Sequence, residues 1–322
     1  MKYKPVDLRK LQTVPLGKRV SKVRIEDFAR PAHSGASFSE FMSSIPDILS
    51  GHDFRAIINA IVQAYRSGCP VILGMGAHVI KCGLSPVIID LMERGVITCV
   101  AMNGAGPIHD TEIALVGHTS EDVQAGLKDG EFGMARETGE LIFESLRDAG
   151  KGMGFGEAVG RKLLALKPPF CHLSILAAAA RLDIPATVHI AIGTDIIHMH
   201  PGASGADVGR TSHTDFRLLA SVIASLSGGV YINAGSAVIL PEVFLKAFTV
   251  AQNLGARLHD FTTVNLDMIT HYRPTINVIQ RPASVGGQGY MLNGRHELLI
   301  PLLAFAIVEA LYIADGTGGS HG

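Results

Sequence analysis

Histidines and carboxylates are concentrated in the stretch GTDIIHMHPGASGADVGRTSHTDFR at 193–217. It holds an H-x-H pair, His198 and His200, and a third histidine, His213, follows. Three imidazole ligands and a water would suit a divalent metal ion. Imidazole also titrates near neutral pH, so His198, His200 and Asp195 are alternatively candidates for acid–base catalysis or substrate binding. A third interpretation is that these residues only form the turn that joins a strand to a helix.

Two apolar stretches each run into a glycine-rich turn, VILGMGAHVIKCGLS at 71–85 and ITCVAMNGAGPIHDTE at 97–112. Where a buried parallel strand ends and a helix begins, backbone N–H groups point into a crevice and can hold a phosphate. The two turns therefore predict a site for a nucleotide or a similarly anionic molecule. In the second turn, His109 could act as an acid or base, and Asp110 could bind a ribose hydroxyl or cap a helix.

Two further segments carry weaker patterns. In HYRPTINVIQRP, Arg273 and Arg281 could bind a carboxylate or phosphate through paired hydrogen bonds, or could be ordinary surface arginines. They are candidate substrate-binding residues. The glycine-rich segment at 151–160 lacks the strand-then-helix context of a dinucleotide fingerprint, so it is predicted to be a flexible segment or lid.

The elements that must position these residues follow from the spacing of apolar side chains. Helices are predicted at 53–67, 85–95, 136–148, 174–185, 216–229 and 241–255. Strands are predicted at 70–76, 96–103, 186–193, 256–267 and, in INVIQRP, 276–282, and a strand with its turn is predicted at 230–238. A polar turn is expected at 194–214. This alternation predicts an α/β fold with a doubly wound, mostly parallel, Rossmann-like sheet.

The first 50 residues differ from the rest, with basic residues at Lys18, Arg19 and Lys22. We expect residues 1–50 to form an N-terminal extension that packs on the body or on a neighbouring subunit. Residues 51–322 are then predicted to form a single α/β domain that binds the nucleotide.

Composition limits the partners. Only 18% of the residues are charged against 47% hydrophobic, which predicts a homo-oligomer, a dimer or tetramer that buries apolar surface between subunits. A net charge of −1 gives no attraction to nucleic acid. The apolar run at 296–315 contains Glu309 and predicts a core helix rather than a membrane span. A polar N-terminus and four scattered cysteines predict a cytoplasmic protein.

From about residue 70 onward, the order of landmarks resembles the deoxyhypusine synthase family. The resemblance is carried by LGMGAHVIKCGL, MNGAGPIHD, DIPATVHIAIGTD, SGGVYI and GYMLNGRHELLIPLLAFAIV. It implies an NAD-binding, Rossmann-like fold and a homotetramer of tight dimers with sites at the dimer interface. It also implies a transferase that oxidises a polyamine with NAD and carries the aminobutyl group on a lysine.

The resemblance also implies which residues contact NAD: Gly76, Ala77, His78, Asn103, Gly104, Ala105, His109, Asp110, Gly228, Gly229, Thr262, Thr263 and Asp267. The family's polyamine pocket corresponds to GGVYINAGSAV, where Asn233 is a candidate substrate-binding residue. The family's pocket tryptophan has no counterpart, because the chain has no tryptophan.

The family's imine-forming lysine is missing. Alignment on the Pro-Leu-Leu core places Met291 near its position, and arginine cannot replace it because its pKa exceeds about 12. After Lys167 the only lysine is Lys246, so Lys246 or Lys81 would have to reach the substrate.

We therefore predict an NAD-dependent enzyme that acts on a small amine-containing molecule and is not a true deoxyhypusine synthase. One alternative is a metal-dependent hydrolase or lyase built on His198, His200 and His213. Another is a non-catalytic sensor that keeps the nucleotide pocket.

Overall fold

The strands and helices of this chain lie in two units, one ending at His52 and the other beginning at Asp53. The structure, a computed structural model, describes residues 2–314. The first unit contains short 3-10 turns and one helix, α1 (Phe38–Ser44). None of its described side chains up to residue 50 is buried. The packing of this segment against a neighbouring subunit stays a prediction.

The second unit alternates strands and helices. The strands are β1 (Val71–Met75), β2 (Cys99–Asn103), β3 (Ala186–His189), β4 (Val230–Ala234), β5 (Phe261–Asp267) and β6 (Gly287–Asn293). The helices after α1 are α2 (Leu49–Arg66), α3 (His78–Lys81), α4 (Ser85–Glu93), α5 (Ala105–Val116), α6 (Val123–Asp129), α7 (Arg136–Asp148), α8 (Phe155–Leu166), α9 (Ile175–Leu182), α10 (Gly205–Ile223), α11 (Ile239–Asn253), α12 (Arg281–Ala283) and α13 (His296–Ala314).

The six strands form one sheet in the order β3-β2-β1-β4-β5-β6, and every neighbouring pair is parallel. Parallel neighbours need crossover connections, which the intervening helices provide. The predicted doubly wound α/β fold is confirmed. The predicted core helix near the C-terminus is α13, while Asp315 at its predicted end lies outside the described residues. Among residues 2–314, no helix combines the length and apolarity needed to cross a bilayer.

One face of the sheet is covered by α2, α4 and α13. Leu73 and Ile232 line a small interior gap on this face together with Ile61 of α2, Ile88 of α4 and Ile300 of α13. Because side chains alternate along a strand, the neighbouring residues of β1 and β4 face the other side.

The opposite face packs on α10 and α11. Ile72 and Tyr231 join Leu219 of α10 and Phe244 of α11 in a buried cluster, and the Tyr231 and Phe244 rings stack at 3.9 Å. Toward the carboxyl ends of the strands this face becomes polar, with Asn103, Thr187, His189, Asn233, Asn265 and Asp267. The polar side chains are therefore gathered at the edge where ligands bind in such sheets.

The prediction for the last strand was wrong. The segment INVIQRP is helical, because it lies in a π-helical turn, Pro274–Gln280, that continues into α12. A short apolar run does not distinguish a strand from a buried helix, and Val278 of this run is fully buried in the α11 cluster. The strand at this edge is β6, which the sequence-based prediction missed because it begins with the glycine-rich GQG.

Two helices begin inside segments that were predicted to be loops. Helix α8 starts within 151–160, and its Gly156 N–H donates to Asp215 Oδ2 of α10 at 3.1 Å. Helix α10 starts within 194–214, capped by Ser204 Oγ, which accepts from Asp207 N–H at 3.2 Å. The α8 cap comes from a residue distant in sequence, so no local pattern indicates it.

Asp215 is fully buried and holds α8 to β3. Its Oδ2 also accepts from Val188 N–H at 2.7 Å, and burial raises the pKa of Asp215 to about 7. The unfolded carboxyl has a pKa near 3.9, so it releases its proton at lower pH than the folded one. The contribution of Asp215 to the free energy of unfolding therefore falls as pH rises from about 4 to about 7.

We expect Asp215→Asn, which cannot ionise, to remove this contribution. The difference in unfolding free energy between wild type and variant should shrink or reverse from about pH 4.5 to about pH 7.5, measured by urea unfolding. Burial also raises the pKa of Asp110 to about 6 and lowers the pKa of His189 to about 3. Both groups are present in wild type and variant, so their contributions to the pH dependence cancel in the difference. A difference that does not change with pH would contradict this assignment.

Candidate functional site

The direction of the crossovers reverses between β1 and β4, which are neighbours at the centre of the sheet. In doubly wound sheets a ligand crevice lies outside the carboxyl ends of such strands. The turns after β1 and β4 meet there, because a Cβ atom at Gly76 would lie 2.3 Å from the Gly235 carbonyl oxygen. Gly235 has φ +66°. The sequence predicted a strand and turn over 230–238 but did not identify Gly235 and Ser236 as site residues, because their approach to Gly76 is a tertiary contact.

A histidine pair lies beside these turns. His296, at the start of α13, is fully buried, its Nε2–H donates to the Leu266 carbonyl at 3.2 Å, and its ring lies against Gly235. Its Nδ1 is buried without a partner among the described residues. The His78 ring lies 5.7 Å away, and burial, together with the charge of His296, lowers the pKa of His78.

Asp267 ends β5 at the same edge. Its side chain is almost fully buried, and Oδ1 accepts from Met268 N–H at 2.7 Å. On the same face, Asn233 Nδ2 donates to Asn265 Oδ1 at 2.7 Å and to the Ser236 carbonyl at 2.9 Å. The Asn233 side chain is fully buried, and its Oδ1 has no hydrogen-bond partner among the described residues.

The turn after β2 is filled from within the chain. A Cβ atom at Gly104 would lie 2.1 Å from Asp195 Oδ2 and 2.7 Å from Ile190 Cδ1, so this turn requires glycine. Burial raises the pKa of Asp195. The structure thus brings together Gly104 and Asp195, which lie in separate predicted motifs.

We expect Gly104→Ala to destabilise the protein by about 1–3 kcal/mol, because the added methyl group clashes with Asp195. Asp195→Ala in the same chain should recover part of that loss, because it removes the clashing carboxylate. Urea unfolding of the two single variants and the double variant measures this coupling. Strictly additive effects would show that Asp195 does not occupy the turn.

His109 of α5 belongs to a hydrogen-bonded chain. Its Nδ1 lies 2.6 Å from Thr119 Oγ1, and the Thr119 hydroxyl donates to Glu112 Oε2. Thr138 Oγ1 donates to Glu112 Oε1 at 3.3 Å. Burial alone would raise the pKa of Glu112, but the hydrogen bonds from His109, Thr119 and Thr138 lower it below its ordinary value.

A cavity of about 190 Å³ opens beside His109 and its hydrogen-bond partners, between α3, α5 and the segment after β3. Lys81, His109 and Asp195 line it, together with Ala105, Ile108, Glu112, Ser120, Glu121, Val123, Phe132, Thr194 and Ile196. A second cavity of about 540 Å³ shares Glu112, Ser120 and Glu121 with it. Sequence motifs predicted His109 and Asp195 separately, and the fold places them in one cavity.

The three predicted metal-binding histidines do not form a centre. His198 Nδ1 accepts from Gly193 N–H at 3.1 Å and from Asp195 N–H at 3.4 Å, which orders the loop that carries Asp195. His200 instead stacks on Phe143 of α7 at 6.1 Å. Within the part of the chain that the structure describes, no group of three His, Cys, Asp or Glu side chains could hold a metal ion, with His213 on α10 included. The alternative of a three-histidine metal site therefore has no support in the described residues.

Asp110 caps a helix, which is one of the two roles that the sequence left open for it. It is fully buried, and its oxygens accept from Ser174 Oγ at 2.5 Å, Ile175 N–H at 2.8 Å and Leu176 N–H at 3.2 Å. These N–H groups begin α9, so Asp110 joins two helices. Both carboxylate oxygens accept hydrogen bonds, and the side chain has no exposed surface.

Four residues assigned from the resemblance lie away from this edge. Gly228 and Gly229 precede β4, and Thr262 and Thr263 lie in the first half of β5, near the amino ends of the strands. Thr263 is fully buried. The glycine pair leads into a strand rather than out of one, so these four residues are not gathered with Gly76 and Gly104.

The two predicted arginines join a surface network on α11. Arg273 Nε lies 3.3 Å from Glu242 Oε1, which also accepts from Asn277 Nδ2 at 2.9 Å. Arg281 donates to Asn277 Oδ1 at 2.6 Å. Lys246 pairs with Glu242 and is exposed, so it lies on the outside of α11.

Solved structures with the same fold include a candidate deoxyhypusine synthase and the proteins AgrE and ArgZ. A candidate deoxyhypusine synthase from Entamoeba histolytica has a TM-score of 0.50 at 13% identity, over 86% of this chain and 95% of that chain. AgrE in a ternary complex with ornithine and NAD+ has a TM-score of 0.53 at 12% identity, over 82% of this chain. ArgZ, an arginine dihydrolase from cyanobacteria, has a TM-score of 0.50 at 14% identity.

The chain spans 34% of AgrE and of ArgZ. No protein-family model matches the sequence, and no curated protein matches it. The chain has the deoxyhypusine synthase-like fold, which confirms the expectation drawn from its motifs.

Proposed function

We propose that this protein is an enzyme that binds NAD at the switch point between β1 and β4 and acts on a small amine-containing molecule. The observation that carries the proposal is the meeting of the Gly76 and Gly235 turns at the carboxyl edge of a doubly wound sheet. Bound nicotinamide dinucleotide would supply hydride transfer. AgrE, with the same fold, was crystallised with NAD+ and ornithine, which supports the same class of ligands here.

The residues at the switch point suit a dinucleotide. Gly76, Ala77 and His78 would lie along it on the β1 side, with Gly235 and Ser236 on the β4 side. Asn103, Gly104 and Ala105 lie at the start of α5, whose first N–H groups have no partners within the helix. Because Asp195 fills this turn, these residues would border the dinucleotide rather than hold its pyrophosphate. Asp267 would accept hydrogen bonds from ribose hydroxyls, and the unpartnered His296 Nδ1 offers a further acceptor.

The chain's own proton-transfer groups lie in the neighbouring cavity. His109 and Asp195 line it and are our candidates for the residues that contact substrate. His198 is a positioning residue in this proposal, because its ring fixes the loop of Asp195. His200, which packs on α7, would support the same segment.

Hypusine formation is not part of the proposal. Met291 lies on β6, and Lys246 lies on the exposed side of α11. Lys81 is the lysine that lines the cavity. An amine carried on a lysine would therefore need Lys81 rather than the family's position.

We also infer that the protein is a cytoplasmic homo-oligomer, a dimer or tetramer with its sites near the interface. The first unit supports this inference, because Tyr3, Leu11, Val20 and Phe28 expose more than half of their surface. Apolar side chains at this density are commonly covered by another subunit.

NAD should raise the melting temperature of the protein, because a ligand that binds only the folded state stabilises it. Asp267→Asn should weaken NAD binding about tenfold, because one charge-assisted hydrogen bond to ribose is lost. Isothermal titration calorimetry measures both affinities. Asp260→Asn, an exposed carboxylate preceding β5, is the matched control and should bind NAD like wild type. No stabilisation by NAD, or equal losses in the two variants, would refute the proposed site.

A further inference from the structure

The short helix α3 lies between the proposed dinucleotide site and the cavity of about 190 Å³. Its first residue, His78, lies beside His296 at the switch point, and its last residue, Lys81, lines the cavity of about 190 Å³. Pockets for drug-sized ligands have volumes of about 300–1,000 Å³. The cavity beyond α3 is therefore sized for a small metabolite rather than for a dinucleotide.

Both signs of charge face this cavity. The positive charge comes from Lys81, which lines the cavity. Among residues 2–314, no ion pair joins Lys81 to a carboxylate. Asp195 and Glu121 line the same space, and Glu121 Oε1 accepts from Gly133 N–H at 3.0 Å. A ligand with one anionic and one cationic group would satisfy both sides.

A pure polyamine would suit this cavity less well. A diamine would also meet carboxylates here, at Asp195, Glu121 and Glu112, but it carries no anionic group to pair with Lys81 and would add a like charge to the same cavity. The carboxylate of an amino acid would instead pair with the Lys81 ammonium. The charge arrangement therefore favours an α-amino acid over a diamine of the same length.

His109 lines this cavity, and its hydrogen bonds define which ring nitrogen can accept a proton. The Thr119 hydroxyl donates its single proton to Glu112, so its oxygen accepts the hydrogen bond from His109 Nδ1–H. The Nδ1 of His109 is 3.7 Å from Glu112 Oε2, so the hydroxyl bridges the two groups. In the neutral ring this arrangement leaves the lone pair on Nε2.

We propose that this cavity binds a zwitterionic amino acid, with Lys81 holding its carboxylate and His109 accepting the proton of its α-ammonium group. In this step the N–H bond of the substrate breaks, the electron pair stays on the substrate nitrogen, and the proton bonds to His109 Nε2. Glu112, through Thr119, stabilises the resulting imidazolium. This inference deepens the proposed function, because it names the class of amine and the site that holds it.

A pair of probes that differ by one carboxylate tests the binding site. The full-length protein is titrated with L-ornithine and with putrescine, with and without NAD, by isothermal titration calorimetry. We expect ornithine to bind about tenfold or more tightly than putrescine, which corresponds to about 1.4 kcal/mol. Lys81→Met should abolish this preference by weakening ornithine alone. Lys246→Met, on the outside of α11, is the matched control and should keep it.

The state of His109 gives a second readout. ¹⁵N NMR of labelled histidine should show the Nδ1–H tautomer of His109 in the free protein. Thr119→Val should lose that tautomer preference, and Thr119→Ser should restore it, because serine keeps the bridging hydroxyl. An Nε2–H tautomer in wild type would overturn the assigned role of His109. Circular dichroism checks that each variant remains folded.

The outcomes separate this inference from the proposed function. If NAD stabilises the protein but neither probe binds, or both bind equally, the zwitterion site is overturned and the NAD site is untouched. If ornithine binds in a Lys81-dependent way and NAD does not bind, the zwitterion site stands and the proposed NAD-dependent enzyme fails. Ornithine binding that Lys81→Met does not weaken also overturns the inference.

Discussion

The close approach of β1 and β4 at their carboxyl ends is the constraint on which the site depends. A single methyl group on Gly76 would overlap the Gly235 carbonyl, so the two turns leave no room for side chains between them. This contact occurs where the crossovers diverge to the two sides of the sheet. The backbone itself therefore forms the wall of the crevice, and His78, His296 and Asp267 are the polar side chains at its rim.

Most of the buried polar side chains of the sheet lie toward the carboxyl ends of the strands on one face. The face covered by α2, α4 and α13 is apolar, whereas the face under α10 and α11 changes from an aromatic cluster at Tyr231 and Phe244 to amides at Asn233 and Asn265. The two amides are neighbours across paired strands and share one hydrogen bond, while Asn233 Oδ1 and Asn265 Nδ2 are buried without a partner among the described residues. Two buried carboxylates elsewhere have a structural role. Asp110 of α5 accepts hydrogen bonds from the start of α9, and Asp215 of α10 accepts one from the start of α8.

The sequence was most informative where a signal is local. Apolar runs such as PVILGMG predicted the central strands, and glycine turns at Gly76 and Gly104 predicted the edge where ligands bind. The sequence was least informative where a partner is distant, as at Asp110, whose cap on α9 depends on tertiary packing. It also failed for INVIQRP, since helix and strand share such runs. Thr119 could not be connected to His109 because the chain turns between them at Gly117.

His78 and Lys81 are joined by a single helical turn, which has a consequence for how two ligands would communicate. A small molecule bound to the Lys81 ammonium would contact one end of this helical turn. The other end, His78, borders the proposed nucleotide site. Thermodynamic linkage requires that any such influence be mutual, so each occupant changes the affinity of the other by the same factor. If both proposed sites are occupied, this single helical turn is the segment through which cooperativity between them would arise.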